Sequence, residues 1–284
     1  MASEPSPAVE RRRLALELRR LRTEAGKTIY DVAEHLECSA GKISRIEMGV
    51  VGARIQDVRE MLDLYGVRGR PREQLLDLVR RSRRRAWWHD YAGVVPADSA
   101  RFFGLEDGAA TIDEHSVTLV PGLLQTEAYA RAVIGSASGE KPEAIDQRIE
   151  LRMRRQRLLE TPEPPTVRMV LHEAVLEARF GEPEVMTEQL HHLAEVAERP
   201  NVTLRVMSTS RCYTAMGVPF VAFGFAHAAD PRVVYLEQLT RNTFIEAPDE
   251  VAVYTTAFEE AFELASPPDE SRQLILERAG ATER

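Results

Sequence analysis

The stretch CSAGKISRIEMG, Cys38 to Gly49, decides how the first third of the chain is read. Ser39 is a good N-cap, because its hydroxyl can accept a hydrogen bond from an amide of the first turn. Gly49 is a good stop. Between them a glycine in the first turn weakens the helix. At 100° per residue, Ala40, Gly41, Ser44 and Arg45 fall on one side, and Ile43, Ile46 and the edge residue Glu47 on the other. One side is apolar and turns inward. The other is small at its first turn, then polar and cationic. Small residues there make sense if something large must come close to that face.

Working outward, the flanking sequence builds the same kind of unit. Leu14, Leu18, Leu21 and Ala25 recur at helical spacing, so Glu10 to Ala25 reads as an amphipathic helix stopped by Gly26. Thr28 and Asp31 form a capping box with the shorter Asp in place of Glu, opening a short helix through His35. Val58, Met61, Leu62 and Tyr65 make a fourth apolar stripe, and Pro71 opens a fifth helix with Leu75, Leu76 and Val79 inward. An all-α, five-helix domain is therefore expected over residues 9–86, after a Pro/Ser-rich, disordered tail over 1–8. The fifth helix ends in RRSRRRAWWHDY. Its arginines read as a solvated basic helix end, with phosphate contact as the alternative, and Trp87, Trp88 and Tyr91 as a packing patch in a junction over 87–95.

From 96 to 284 the character changes. TVRMVL, VTLRVM, VPFVAFGF and VVYLEQL carry strand signals, and helical patterns alternate with them. PEAIDQRIELRMRRQRLLE reads as a long helix with Ile145, Ile149 and Met153 on one side and many arginines on the other. This implies a larger α+β domain, a mixed sheet with helices.

The 284 residues carry a net charge of −8, which alone argues against a polyanion partner. Residues 1–90, however, hold 19 Lys and Arg against 14 Asp and Glu, a net +5, and the remainder 18 against 31, a net −13. A basic head on an acidic body points to a polyanion partner for one half only. The start, MASEPSPAVERRRLA, has no apolar run before its arginines, unlike a signal peptide. No apolar run reaches a membrane span. The two cysteines, Cys38 and Cys212, are far apart without metal-type spacing, which fits a reducing cytoplasm.

The outward face of the helix after Ser39 then has a use. Its small first turn can enter a DNA major groove, with Arg45 reaching guanine O6 and N7. Lys42 flanks the face toward a phosphate, and the amides near Thr28 and Ser39 lie at helix N-termini, where phosphates bind. The expected interface is thus Thr28, Ser39, Ala40, Gly41, Lys42, Ser44 and Arg45. The segments LELRRLRTEAGKT, DVAEHLECSAGKISRIEMG and DVREMLDLYGV closely resemble the Xre-type, phage-repressor-like helix-turn-helix family. The resemblance implies a five-helix bundle that binds double-stranded DNA, commonly as a dimer, with Arg22 paired to Glu47. Two departures stand out: Ile29 occupies a position where the family often has Gln, and VVGAR follows Gly49 where a basic residue is usual. Both imply fewer backbone contacts. LVPGLLQTEAYARAVI, RQRLL, HEAVLEARFG, VMTEQLHHLAEVAERPNVTLRVM and VVYLEQL resemble the C-terminal domain of WhiJ-like actinobacterial regulators. That resemblance implies an antitoxin-like protein, often encoded beside a small partner protein.

No catalytic constellation stands out, so an enzyme is not expected. The adjacent His191 and His192 diverge on a helix and share no metal, and His172-Glu173 reads as structural. Gly217 and Gly224 are too isolated for a phosphate loop, so no cofactor is implied. Phe220, Phe223 and Tyr235 read as sheet core, or as pocket walls if the second domain takes a small molecule. The expectation is a cytoplasmic transcriptional regulator, a repressor and homodimer, whose acidic domain binds a small partner protein. A metabolite-responsive regulator and an antitoxin that neutralises a protein are the alternatives.

Overall fold

The computed structural model describes residues 6–95, 97–136, 141–227 and 230–282. The chain divides into two compact units, Glu4–His89 and Asp90–Arg284. The boundary falls inside a 3₁₀ turn, Trp87–Tyr91, within the stretch read as the junction. Trp87 and Trp88 meet edge to face at 5.6 Å. Tyr91 is anchored in the second unit, where its hydroxyl donates to Glu150 at 2.8 Å.

The first unit is five helices: α1 (Pro7–Glu24), α2 (Ile29–His35), α3 (Ala40–Glu47), α4 (Ile55–Leu64) and α5 (Gly69–Ser82). α1 begins three residues ahead of the sequence expectation, because proline suits the first helical position. Pro7 and Ala8 are therefore helical rather than part of a disordered tail, and residues 1–5 of that tail lie outside the described residues. Leu14 and Leu18 of α1, Val32 of α2, Ile43 and Ile46 of α3, Val58, Met61 and Leu62 of α4, and Val79 of α5 share one core. Each such side chain contributes about 1.5–3 kcal/mol on burial. Arg81, from the basic run, donates to the buried Glu10 carboxylate at 3.0 Å and ties α5 to α1. That arginine is structural.

The second unit runs α6 (Ala97–Asp107), β1 (Thr111–Ser116), α7 (Glu127–Gly135), α8 (Pro142–Gln156), β2 (Thr166–His172), α9 (Ala174–Glu177), α10 (Pro183–Val196), β3 (Val202–Met207), β4 (Phe220–Gly224), β5 (Val233–Glu237), β6 (Asn242–Ile245), α11 (Pro248–Leu264) and α12 (Pro268–Thr282). The sheet order is β3-β2-β1-β4-β5-β6. β1, β2 and β3 are parallel, and β4, β5 and β6 pair antiparallel to their neighbours. Side chains alternate between two cores. Val167, Met169 and Leu171 of β2 and Phe223 of β4 face a core shared with α10 and α12. Val170, Phe220 and Ala222 face the core under α11, where Phe258 and Phe262 lie. Strands buried on both faces read as apolar runs, which is why β2, β3, β4 and β5 announce themselves in the sequence.

β1, the strand at the centre, does not. Its Asp113, His115 and Ser116 are buried. Asp113 accepts from Arg168 Nε and Nη2 at 2.8 and 2.9 Å, and from Arg232 Nη1 at 2.7 Å. Arg168 also donates to Glu259 of α11 and lies over the Phe258 ring at 5.0 Å. His115 Nδ1 contacts the Val218 carbonyl at 2.9 Å, and its Nε2 the Tyr213 hydroxyl at 2.9 Å. A carbonyl only accepts, so Nδ1 carries the proton and Nε2 accepts from the phenol. Burial lowers the His115 pKa, which keeps the ring neutral.

Candidate nucleic-acid interface

The α2–turn–α3 segment is built from local rules. Thr28 accepts from the Asp31 amide at 3.2 Å, and the Thr28 amide donates to Asp31 Oδ2 at 2.7 Å, a complete capping box despite the shorter acid. That amide, helped by the Thr28 hydroxyl, holds the Asp31 carboxyl below its ordinary pKa. The Ser39 hydroxyl accepts from the Lys42 amide at 3.2 Å and opens α3. Between the two helices Glu37 takes a left-handed backbone, φ 50°, which costs a non-glycine residue about 1–2 kcal/mol. The Cys38 amide closes this turn on the Ala33 carbonyl at 2.9 Å. Gly49 ends α3 at φ 68°, the conformation glycine adopts without strain.

Ile43, Ile46 and Glu47 are buried. Arg22 of α1 grips Glu47 with a fork, Nε to Oε1 at 2.7 Å and Nη2 to Oε2 at 3.0 Å, while its Nη1 donates to the Lys27 carbonyl at 2.8 Å. The hydrogen bond to Glu47 raises the Arg22 pKa further, so the guanidinium stays charged. This pair fixes the roll of α3 about its own axis, and so fixes what the opposite side presents.

That side is narrower than the helical wheel suggests. Gly41 and Arg45 are exposed, Ser44 is half-buried, and nothing lies within 4 Å of where a Gly41 side chain would begin. Thr28 and Ser39 are exposed at their helix N-termini. Ala40 sits at the edge of the wheel and packs partly against the core. Lys42 sits at the other edge, and its ammonium pairs with Asp57 of α4 at 2.7 Å. A phosphate at Lys42 would have to compete with that carboxylate. Ile29 packs against the core, whereas its neighbour Tyr30 is 77% exposed at the start of α2. The Tyr30 hydroxyl stands beside the position where Ile29 has none, and nothing in the local sequence pattern marks it. Met48, the C-cap of α3, and Val50, just past Gly49, are 55% and 57% exposed.

A family model described as a domain of unknown function, DUF5753, matches residues 99–277, more than half of the chain. The chain belongs to the DUF5753 family. Ahead of that domain, a helix-turn-helix domain model matches residues 13–76, which contain α2, the turn and α3. The two matches together make this a DUF5753 chain headed by the architecture of a DNA-binding regulator. No curated protein and no solved structure matches it. Among the described residues no helix is long and apolar enough to cross a membrane. In the DUF5753 unit, His172 accepts from the Ala174 amide at 3.3 Å and Glu173 is held by Arg278 at 2.6 Å.

The DUF5753 unit also adds to one helical reading. The arginines of α8 are not all outward: Arg155 forks onto Glu106 with two bonds of 2.7 Å, and both side chains are largely buried. The spacing of Arg148, Arg152 and Arg155, four and three residues apart, was the available signal, since it puts all three on one helix face.

Proposed function

We propose that the chain is a transcriptional regulator of the Xre type, a homodimeric repressor in the cytoplasm, whose first unit reads duplex DNA with α3. The single observation that carries this reading is the outward side of α3: Gly41, Ser44 and Arg45 standing free of the core, on a helix whose roll is set by Arg22 and Glu47. The net +5 charge of residues 1–90 supports it, and the −13 of the remainder argues that the second unit adds nothing to the DNA footprint. The second unit acts by binding, without catalysis. In the WhiJ-like reading it receives a small partner protein, and the regulator responds when that partner binds its DNA-free and DNA-bound forms with different affinity. Neutralisation of a protein as the main role, as in an antitoxin, is the alternative on that side.

The test is a salt series. Full-length protein is titrated onto a mixed-sequence duplex, with affinity followed by anisotropy between 50 and 200 mM salt, conditions over which phosphate-led binding weakens steeply. Each neutralised phosphate contributes about −0.9 to the slope of log K against log salt. A slope of about −3 or steeper is expected from a unit of this charge. Binding that ignores salt, or no binding at 50 mM, contradicts the reading.

A further inference from the structure

A cavity of about 700 Å³ opens in the second unit, within the range that holds a drug-sized molecule. It lies where the sheet changes direction. The chain runs from β1 outward to β2 and β3, then returns to place β4 on the other side of β1. Crevices at the carboxyl ends of strands beside such a reversal are where open α/β sheets bind ligands. Ser116, Thr118 and Val120, from the carboxyl end of β1 and the loop that leaves it, line the cavity. β5 runs parallel to β1 through the shared neighbour β4, so Glu237 and the turn to β6 reach the same edge.

The lining charge is opposite to that of its surroundings. Arg148, Arg152, Arg155 and Arg241 face two acids, Glu114 and Glu237, in a part of the chain that is otherwise strongly acidic. Arg155 is committed to Glu106, and also lies 5.0 Å from the centres of the Phe102 and Phe103 rings. The charges of Glu237 and Glu106 act on Arg152 from beyond ion-pair distance. Its Nη1 donates to Gln125 Oε1 at 2.6 Å, Gln125 is buried and donates on to the Val120 carbonyl at 2.7 Å, and among the described residues no carboxylate forms an ion pair with Arg152. A poorly solvated guanidinium with a neutral partner is an energetic liability unless an anion joins it. Phe102 and Tyr235, 4.5 Å apart, give the same cavity an aromatic wall. Phe220, Phe223 and Tyr235 are all core side chains, as the sequence reads, and Phe220 and Tyr235 also border this cavity.

We propose that this cavity binds a small organic anion with an apolar or aromatic body, its anionic group held by Arg152 and its body against Phe102 and Tyr235. Glu114 lies on the same face, in the cross-strand row Glu114, Val221, Tyr235. α6 presents Glu106 to it, α8 presents Arg152 and Arg155, and β5 presents Glu237. Burial, then the Glu106 charge, pushes its carboxyl pKa up to about 8. At neutral pH Glu114 is a hydrogen-bond donor to the anion. Above pH 8 it ionises and repels it.

The proposal concerns binding alone and stands apart from the signal assigned above. Its test contains no DNA and no partner protein, so its failure leaves the DNA-reading face untouched. Full-length protein is titrated by calorimetry with benzoate, 2-naphthoate, octanoate and phenyl phosphate, and with 2-naphthamide as the uncharged counterpart. At least one anion is expected to bind one-to-one at pH 7, at least tenfold tighter than the amide. Arg152→Met should weaken it tenfold or more, and Arg152→Lys less. The affinity should fall as pH rises from 7 to 9, and Glu114→Gln should abolish that fall, a readout that survives even if Arg152→Met fails to fold. No binding by any of the four anions, equal binding of naphthoate and naphthamide, or affinity indifferent to both substitutions overturns the proposal.

Discussion

Replacing Asp113 by Ala should cost the second unit about 3–5 kcal/mol, the range for breaking a buried ion pair from one side. Asp113 is 1% exposed and accepts three hydrogen bonds from two arginines. Arg168 would keep Glu259, which is itself half-exposed, but Arg232 would lose its carboxylate. The loss falls at the centre of the sheet, because Asp113 stands opposite Arg168 on β2 and Ala222 on β4 in the pairing register. Urea denaturation followed by far-ultraviolet circular dichroism measures it. A loss below about 1 kcal/mol, the level of a surface pair, would show that water already serves these arginines. Asp113→Asn should lose less, since an amide oxygen still accepts.

Glu47→Ala should cost the first unit about 3 kcal/mol. The Arg22 and Glu47 side chains are 13% and 3% exposed, so removing the acid leaves Arg22 with the Lys27 carbonyl and a limited view of water. The double replacement Arg22→Met with Glu47→Leu separates charge from packing. It should recover most of the loss, because an apolar pair of similar volume leaves no charge stranded. Urea denaturation followed by helical circular dichroism measures the loss, since this unit is five helices. A double variant as unstable as Glu47→Ala would mean that the ion pair supplies net stability rather than orientation.

What could be read from the sequence divides along physical lines. The first unit is legible because each helix is announced locally: the Thr28–Asp31 box, the Ser39 cap, the Gly49 stop and the apolar spacing of Leu14 and Leu18 all act within a few residues. The outward side of α3 was legible as a helical wheel, but the edges of the wheel were not. Whether Lys42 faces solvent depends on Asp57, fifteen residues on and in another helix. In the second unit the strands buried on both faces, such as Val167 to Leu171, could be read as apolar runs. β1 could not, because TIDEHS looks like a loop until Arg168, Arg232, Tyr213 and Val218 arrive from elsewhere to satisfy it. The cavity was hidden for the same reason. Its floor is that unrecognised strand, and three of its four arginines lie on a helix face that charge alone assigns to solvent.

The claim on which the whole account turns is that α3 reads bases through Arg45. Full-length protein and its Arg45→Ala variant are each used to select duplexes from a randomised pool at fixed salt, and the affinities of the winning sequence and its single-base variants are then measured. The expected result is a preferred sequence in which one guanine-containing pair per half-site loses its preference in the variant, with a discrimination of about 1–3 kcal/mol erased at that pair and the rest retained. If the protein enriches no sequence, or if Arg45→Ala selects the same sequence with the same penalties at every position, then α3 is not the reading helix and the account is wrong at its centre.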